Sequence, residues 1–274
     1  RLDVFQKLYK ALPIGGVTVK DDGPFSRCPH YVRLSYSGKR DMATGIENEG
    51  FLGMSLNGGE QYRFTVWARV PEDGQATLNV GLRDLDSQEE NFTVCEADIN
   101  VCGSEWHKYT VELTPPHTIK KASLVVFLKG NASTDIEHIS LFPVNTWCGH
   151  ENGLRKDLVQ HLANLKPGVM RFPGGCIVEG ATLDTRYNWK NSIGPVENRP
   201  LNETRWNYGK ERTHFDYYQS YGLGFFEFFQ LCEEIGAEPL PVLSCGMACQ
   251  FNNDITTKGS WIAQGDSLNE FIQD

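Results

Sequence analysis

Alternating apolar and polar residues mark the first half of the chain as a series of β-strands. In GEQYRFTVWARV, residues 59–70, the side chains of Tyr62, Phe64, Val66 and Ala68 fall on one face of an extended chain. After a turn at Pro71–Gly74 come five more short strands, in the segments ATLNVGLRDL, NFTVCEADINV, EWHKYTVELT, KASLVVFLKG and DIEHISLFPV. Short strands with turn signals between them are typical of an antiparallel sandwich, which we predict over residues 17–147. Residues 1–16 are predicted to be a lead-in, with a helical candidate at Arg1–Leu12 outside the strand array.

From about residue 150 the apolar spacing changes to that of helices. The segment NGLRKDLVQHLANL, residues 152–165, has leucines at helical spacing and Asn152 as its predicted N-cap. A short apolar strand, VMRF, follows, and after a long loop come a second amphipathic helix, FFEFFQLCEEIGA, and the strand EPLPVLSC. Helices that alternate with strands predict a parallel α/β architecture, in which the carboxyl ends of strands carry the chemistry. Arg171 and Ser244–Cys245 lie at such ends.

The overall composition is that of an ordinary globular chain and excludes some partners. Apolar residues make up 40% and charged residues 22% of 274 residues, and the formal net charge is −9. Such a charge argues against nucleic acid and against anionic membrane surfaces as partners. No run approaches the roughly 18 apolar residues of a membrane helix. The chain begins at Arg1 without a Met and ends in what resembles the start of a helix, so we expect a piece of a longer protein.

The eight cysteines leave their chemistry open. No pair has C-x-x-C spacing, so we expect no structural zinc. We also expect no other metal and no cofactor. Cys95 and Cys102 are spaced so that they could bridge a hairpin, but buried free thiols are an equally good interpretation. Three Asn-x-Ser/Thr sequons, at Asn91, Asn131 and Asn202, do not decide the compartment. We expect a secreted or periplasmic protein rather than a cytoplasmic one.

The loop after VMRF has a content that suits sugars. It runs from about Pro173 to Leu223, well beyond the usual few residues of a connection. It contains many aromatic residues beside arginines: Tyr187, Trp189, Trp206, Tyr208, Tyr217, Tyr218 and Tyr221, with Arg186, Arg199 and Arg205. Aromatic rings stack on the C–H faces of sugars while polar groups bind the hydroxyls. The alternative is a structured loop that covers the site with its own aromatic residues.

Three segments in this half resemble a known family. RFPGGCIVEG, YNWKNSIGPVENRP and FFEFFQLCEEIGAEPLPVLSCG, in this order, resemble family 51 of the glycoside hydrolases, the α-L-arabinofuranosidases. The resemblance covers residues 150–250 and is most specific in R-F-P-G-G-C, N-W-K-x-x-I-G-P-x-x-x-R-P and G-A-E-P. Over the sandwich half it is weaker, and fits the subgroup with a carbohydrate-binding-like sandwich just before the barrel.

The resemblance implies an α+β multidomain fold and a glycosidase mechanism. A jelly-roll, carbohydrate-binding-module-like β-sandwich would precede the first part of a (β/α)₈ TIM barrel, truncated, over residues 148–274. The implied activity is that of a retaining, exo-acting α-L-arabinofuranosidase on arabinan- or arabinoxylan-type polysaccharides. Such enzymes use two glutamates about 5–5.5 Å apart as acid/base and nucleophile. In the family both come from later barrel strands, so we expect no catalytic residue in this chain and no activity of the chain alone.

The resemblance also implies roles for residues around the turn. Arg171 matches an arginine that lies against the nucleophile, where its fixed charge and donor fork hold a carboxylate ionised and oriented. Gly174 and Gly175 let the backbone turn tightly under the sugar. Cys176 matches a residue of the subsite for the cleaved arabinose, although simple core filling is the alternative. Glu179 is not at a catalytic position of the family, so we expect a loop hydrogen bond from it. The implied support set is Arg171, Gly174, Gly175, Cys176, Trp189 and Trp206, where Trp189 alternatively braces the loop.

Other functions remain open at this stage. A non-catalytic carbohydrate-binding protein would hold polysaccharide on the sandwich, although Trp67, Trp106 and Tyr109 lie in strands and are more typical of a core. A different barrel glycosidase, such as an endo-glucanase, is disfavoured by the motif around Cys176. The expected partner is an arabinose-containing oligo- or polysaccharide, and a homo-oligomer is left open.

Overall fold

The computed structural model describes residues 10–11, 16–36, 44–72, 74–88, 92–130, 132–207, 218–244 and 248–249. The chain divides into two compact units. The first comprises Arg1–Pro24 and Pro29–Val159, and the second comprises Phe25–Cys28 and Gln160–Asp274. Of the helical candidate Arg1–Leu12, Lys10 and Ala11 form a strand, and the rest lies outside the described residues.

The first unit is an antiparallel β-sandwich, as the alternating pattern predicts. Its strands, within the described residues, are β1 (Lys10–Ala11), β2 (Gly16–Lys20), β3 (Tyr31–Ser35), β4 (Thr44–Asn48), β5 (Met54–Leu56), β6 (Tyr62–Arg69), β7 (Gln75–Asp84), β8 (Thr93–Cys102), β9 (His107–Leu113), β10 (Ile119–Lys129) and β11 (Ser133–Pro143). One sheet has the order β1-β4-β10-β7-β8, with β5 also paired to β10, and the other has the order β2-β3-β11-β6-β9. Although Lys10–Ala11 falls in the predicted lead-in, β1 pairs with β4.

The two sheets enclose one hydrophobic core. Tyr62, Phe64, Val66 and Ala68 of β6 are all buried in it, which confirms the predicted alternation. They share this core with residues of the other sheet, including Leu78, Val80 and Leu82 of β7 and Val126 of β10. Removing such side chains from water contributes about 1.5–3 kcal/mol each, so this shared core stabilises the sandwich.

A buried ion cluster lies among polar side chains of the second sheet. The Asp135 side chain is 0% exposed and accepts from Arg33 Nε at 2.6 Å and Arg69 Nε at 2.9 Å. The Arg69 guanidinium also lies 4.8 Å from the ring of Trp106, which packs edge-on against Tyr31. Trp106 is therefore held by a cationic and aromatic cluster instead of the main core that we predicted.

Two other aromatic residues and two cysteines of the sandwich differ from one another in their surroundings. Tyr109 packs against the hydrophobic core, as predicted, whereas Trp67 is not part of that core. Cys95 and Cys102 both lie in β8, seven residues apart, where they face Leu82 and Gln75 of β7. At about 3.3 Å per residue their backbones are about 23 Å apart, so a bridge between them is excluded. No disulfide joins the cysteines in the described part of the chain.

The chain from residue 156 onward forms helices and short strands. Its regular elements, in the described ranges, are α1 (Lys156–Leu165), β12 (Val169–Phe172), α2 (Cys176–Glu179), β13 (Asn202–Glu203), β14 (Tyr218–Gln219), α3 (Phe225–Ile235) and β15 (Glu238–Pro241). The strands β12 and β15 are parallel, with Arg171 opposite Leu240. The helix α3 ends at Gly236, whose φ of 72° is the left-handed cap that the sequence predicts. A sandwich is thus followed by the helix–strand alternation with which a (β/α)₈ barrel begins.

The predicted N-cap of α1 is wrong. The helix begins at Lys156, four residues after Asn152, and Asn152 has a φ of 53°. Asn-Gly sequences readily adopt left-handed turns, and here the Gly153 N–H donates to the His150 carbonyl at 3.0 Å. Asn152 is therefore part of this turn and does not lie at the start of the helix.

Aromatic packing holds α3 on β12, while other apolar side chains stay exposed. Phe172 of β12 is 1% exposed and stacks on Phe228 of α3, with ring centroids 4.7 Å apart. By contrast, the leucines that predicted α1 are exposed: Leu158 by 53%, Leu162 by 41% and Leu165 by 76%. Val169 and Leu240, in the two parallel strands, are 56% and 50% exposed.

Within the described residues, no helix has both the length and the apolar content needed to cross a bilayer.

Candidate functional site

Arg171 lies at the carboxyl end of β12, against a glycine that makes room for it. The side chain is exposed, and a Cβ placed on Gly174 would lie 2.7 Å from the Arg171 Cζ. Gly174 also has a φ of 75°, which is strained for any residue with a side chain. The backbone therefore requires glycine here, and a larger residue would also displace the end of the Arg171 side chain. No carboxylate among the described residues forms an ion pair with Arg171.

The turn after Arg171 leads directly into a single helical turn that holds Cys176. The Phe172–Pro173 peptide is cis, and Gly175, with φ 61° and ψ −153°, precedes α2. This combination of angles is accessible essentially to glycine alone. The helical turn closes where the Gly180 N–H donates to the Cys176 carbonyl at 3.1 Å. Both glycines that the sequence predicted as turn residues therefore have the required geometry.

Cys176 belongs to a cluster of two thiols, a carboxylate and a guanidinium. The sulfurs of Cys176 and Cys249 and a carboxylate oxygen of Glu179 all lie within 4.8 Å of one another. Arg205 Nε donates to the Cys249 sulfur at 3.2 Å. A hydrogen bond with Cys249 and then burial raise the pKa of the Cys176 thiol above its ordinary value, against the opposing charge of Arg205. Cys176 is thus a protonated, partly exposed thiol at neutral pH.

This cluster contains residues that sequence analysis did not assign. Cys249 lies 73 positions after Cys176, and no local spacing connects the two. Arg205 was noted only as one of several loop arginines. The predicted strand-end residue Cys245 lies outside the described residues, and the loop hydrogen bond expected from Glu179 stays a prediction.

The two tryptophans of the predicted site differ in their surroundings. Trp189 begins the 3₁₀ turn Trp189–Ser192 and packs against the buried cluster that includes Phe225, with ring centroids 6.2 Å apart. Trp206 is 50% exposed, and the Arg205 guanidinium lies 4.0 Å from its ring centroid. The packing of Trp189 favours the bracing role, whereas Trp206 has surface available for a ligand.

The long loop is fixed to α3 by a buried arginine that the sequence analysis gave no role. Arg199 is 5% exposed and donates to the carbonyls of Gly194 and Tyr221 and to both carboxylate oxygens of Glu227. The same carboxylate accepts from the Gly224 N–H at 2.8 Å and so caps α3. A sequence signal existed in the Arg-Pro pair of the motif, but its partner Glu227 is 28 residues away.

Some aromatic residues of the loop are structural. Tyr187 and Tyr221 are 5% and 3% exposed and pack edge to face at 4.8 Å. Burial raises the pKa of both phenols above the ordinary value. These two therefore support the alternative of a loop that packs on itself, whereas Tyr208 and Tyr217 lie outside the described residues.

Comparison with protein families divides the chain in two parts. Residues 161–274 match the family model described as an alpha-L-arabinofuranosidase 1 domain. Residues 33–134 match a carbohydrate binding domain. The two matched ranges correspond to the α/β elements and to the sandwich.

Individual proteins give the same result. An extracellular exo-α-L-arabinofuranosidase of Streptomyces chartreusis is 36% identical over 212 residues, which cover 73% of this chain and 24% of that protein. Alpha-L-arabinofuranosidase 1 of Arabidopsis thaliana is 35% identical over 217 residues, covering 78% of this chain and 29% of the relative. The chain thus spans less than a third of the length of either relative.

One solved structure shares the fold over almost the whole chain. An arabinose-bound α-L-arabinofuranosidase of family GH51 superposes with a TM-score of 0.77 and 23% identity, covering 97% of this chain and 42% of that one. The superposition extends over both the sandwich and the α/β elements of this chain.

Proposed function

We propose that the chain is part of a retaining, exo-acting glycoside hydrolase, on the premise that residues 161–274 match the model of the alpha-L-arabinofuranosidase 1 domain. Its substrates would be arabinan- or arabinoxylan-type polysaccharides, from which it removes terminal arabinofuranosyl groups. The family match over the α/β half carries this proposal. Two relatives above 30% identity, each named an arabinofuranosidase, support it.

In this proposal Arg171 supports the catalytic nucleophile. A guanidinium at the carboxyl end of a parallel strand stands where barrel enzymes place their reacting groups. Gly174 leaves room for this guanidinium, and no carboxylate among the described residues forms an ion pair with it. A retaining mechanism needs two carboxylic acids about 5–5.5 Å apart. We propose that both belong to segments outside this chain.

The neighbouring residues would bind the sugar. Gly174 and Gly175 form the floor of the turn, and the Cys176 thiol lines the subsite of the cleaved arabinose. Trp206 has an exposed ring for stacking, and Trp189 maintains the loop. An arabinose-containing oligo- or polysaccharide is the proposed partner, and a homo-oligomer is compatible with this assignment.

The proposed domain organisation has three parts. Residues 1–16 lead in, residues 17–147 form the sandwich, and residues 148–274 form the beginning of the catalytic barrel. We propose a secreted or periplasmic location, supported by the Streptomyces relative that is named extracellular.

A carbohydrate-binding role of the sandwich is the second candidate function. The match of residues 33–134 to a carbohydrate binding domain supports it. This role is compatible with the first. A sandwich that binds a polysaccharide would keep the arabinofuranosyl branches of that polysaccharide available to a catalytic domain. Without hydrolysis in the parent protein, it would be the main function.

Hydrolysis by the full-length parent protein tests the proposal. The protein should cleave an aryl α-L-arabinofuranoside and should not cleave an aryl β-glucoside. NMR should show that the arabinose first formed has the same anomeric configuration as the substrate. Residues 1–274 alone should be inactive, because nucleophilic and general-acid catalysis each contribute orders of magnitude to the rate. Cleavage of only the glucoside, or retardation on arabinoxylan gels without any hydrolysis, would contradict the arabinofuranosidase assignment.

A further inference from the structure

Cys176 and Cys249 bring two distant chain segments together at the candidate site. Cys176 is the first residue of α2, directly after the two glycines with positive φ. Cys249 follows β15 and is 0% exposed. Its N–H donates to the carbonyl of Gly180 at 3.0 Å, so the backbone holds Cys249 beside the end of α2. The two sulfurs lie within 4.8 Å of each other in this arrangement.

We propose that Cys176 and Cys249 form a reversible disulfide that ties the Pro-Gly-Gly turn to the segment after β15. A disulfide has an S–S distance of about 2.05 Å, so the sulfurs need to approach by no more than about 3 Å. Cys176 follows Gly174 and Gly175, whose backbones are the least restricted of any residue. The movement can therefore occur in the turn while Cys249 stays fixed by its backbone hydrogen bond.

A bound metal ion explains the cluster less well. Two thiols and Glu179 provide three ligand atoms, a set that zinc would accept. However, Arg205 donates directly to the Cys249 sulfur at 3.2 Å. A permanent guanidinium charge at this distance from a ligand repels a second cation.

The bond would form by exchange with a small disulfide such as oxidised glutathione. The Cys176 thiolate, on the more exposed side of the pair, attacks one glutathione sulfur, forms a mixed disulfide and releases one reduced glutathione. The Cys249 sulfur then attacks Cys176 Sγ and releases the second. Two protein thiols are thereby oxidised, one oxidised glutathione is reduced to two thiols, and both thiol protons pass to solvent or to the released glutathione.

The pH dependence of bond formation follows from the Cys176 environment. Hydrogen bonding to Cys249 and burial raise the pKa of its thiol, so little thiolate is present at pH 7. Because the thiolate is the nucleophile, the rate should rise about tenfold per pH unit between pH 7 and 8. The rate should level off only above the raised pKa.

The consequence for sugar binding rests on the proposed function. If Cys176 lines the arabinose subsite, oxidation removes its thiol hydrogen and draws the turn towards Cys249. Arabinofuranosidase activity should then fall several-fold on oxidation and return on reduction. Existence of the bond itself does not depend on that function.

Peptide mapping of the full-length protein tests the bond. After equilibration with oxidised glutathione and blocking of free thiols, trypsin releases residues 172–186, with Cys176, and residues 213–258, with Cys232, Cys245 and Cys249. We expect a cross-linked pair of these peptides that dithiothreitol separates. Cys232→Ser and Cys245→Ser should retain the cross-link, whereas Cys176→Ser and Cys249→Ser should lose it.

The outcomes that overturn the proposal are distinct from failure of the proposed function. No cross-link in wild type, or a cross-link that survives Cys249→Ser, would overturn it. So would one zinc ion retained per chain and lost in Cys176→Ser. In the activity assay, the Cys249→Ser variant should be as active as the wild-type protein in its dithiol state, and its activity should not change on oxidation. A reduced protein without arabinofuranosidase activity would refute the proposed function, and the peptide map would still decide about the disulfide.

Discussion

At the scale of single residues, Arg171 is the group whose chemistry the structure defines best. Its fixed charge, exposed position and contact with Gly174 are all independent of the protonation of any neighbour. The sequence could predict this residue because its position at a strand end is a local feature. It could not predict the Cys176–Cys249 pair, since that contact depends on how β12 and β15 align.

We expect Arg171→Ala in the full-length enzyme to lower kcat much more than it raises KM. A nearby cation lowers the pKa of a carboxyl group, so its loss raises the pKa of the nucleophile. The acidic limb of the pH–rate profile should therefore move to higher pH. The expected loss is about 2–4 kcal/mol of transition-state stabilisation, and Arg171→Lys should be intermediate because it keeps the charge without the fork. A folded Arg171→Ala variant with near-normal kcat and an unshifted acidic limb would rule out catalytic support.

Gly174→Ala should displace the arginine without removing it. The new Cβ would lie 2.7 Å from Arg171 Cζ, so the flexible end of that side chain must move. We expect a similar but smaller upward shift of the acidic limb, measured from the same pH–rate profile. Gly175→Ala is the control, because it adds backbone strain while its Cβ meets no atom within 4 Å. Equal shifts in both variants would show that strain alone, not the contact with Arg171, is responsible.

At the scale of elements, the local sequence pattern predicted those strands and helices whose formation depends on neighbouring residues. The alternation in β6 predicted its buried face, and the apolar spacing followed by glycine predicted α3 and its end. The start of α1 could not be predicted, because the turn at Asn152 competes with the helix for the same residue. The Arg199–Glu227 pair could not be predicted from the sequence either, since it connects a loop to a helix across 28 positions.

The Arg199–Glu227 pair should stabilise the loop on α3 as a unit. Arg199→Ala removes five hydrogen bonds and leaves Glu227 without its cation, which typically destabilises a buried pair by about 3–5 kcal/mol. We expect faster proteolysis within residues 173–223 and a lower urea midpoint. Arg199→Lys, which keeps the charge but not the fork, should lie between Ala and wild type.

A double-mutant cycle separates the pair from the other contacts of Arg199. Glu227→Gln combined with Arg199→Ala should cost less than the sum of the single changes, because each single variant leaves one unpaired charge and the double variant leaves none. Additive effects would show that Arg199 acts mainly through the carbonyls of Gly194 and Tyr221.

At the scale of the whole molecule, the two units differ in how much apolar surface they bury. Over the described residues, the core of the sandwich contains 22 buried residues, and the main buried cluster of the second unit contains 5. Within the described part of the second unit, β12 and β15 pair with each other in a two-stranded sheet, and apolar residues in both strands are exposed. Parallel strands are normally covered on both faces, whereas Val169 and Leu240 of these two strands are half-exposed among the described residues.

We therefore expect the sandwich to fold cooperatively by itself and the second unit to be the less stable part of residues 1–274. Hydrogen exchange should show high protection in β6, β7 and β10 and lower protection in β12 and β15. Because β1 pairs with β4, a fragment of residues 1–147 should also be more stable than one of residues 17–147. If the second unit is instead well protected, its exposed strands should be covered by another copy, and protection should fall on dilution to the monomer. Equal, high protection of both units in a strict monomer would contradict this view, because so few buried contacts could not stabilise the two-stranded sheet alone.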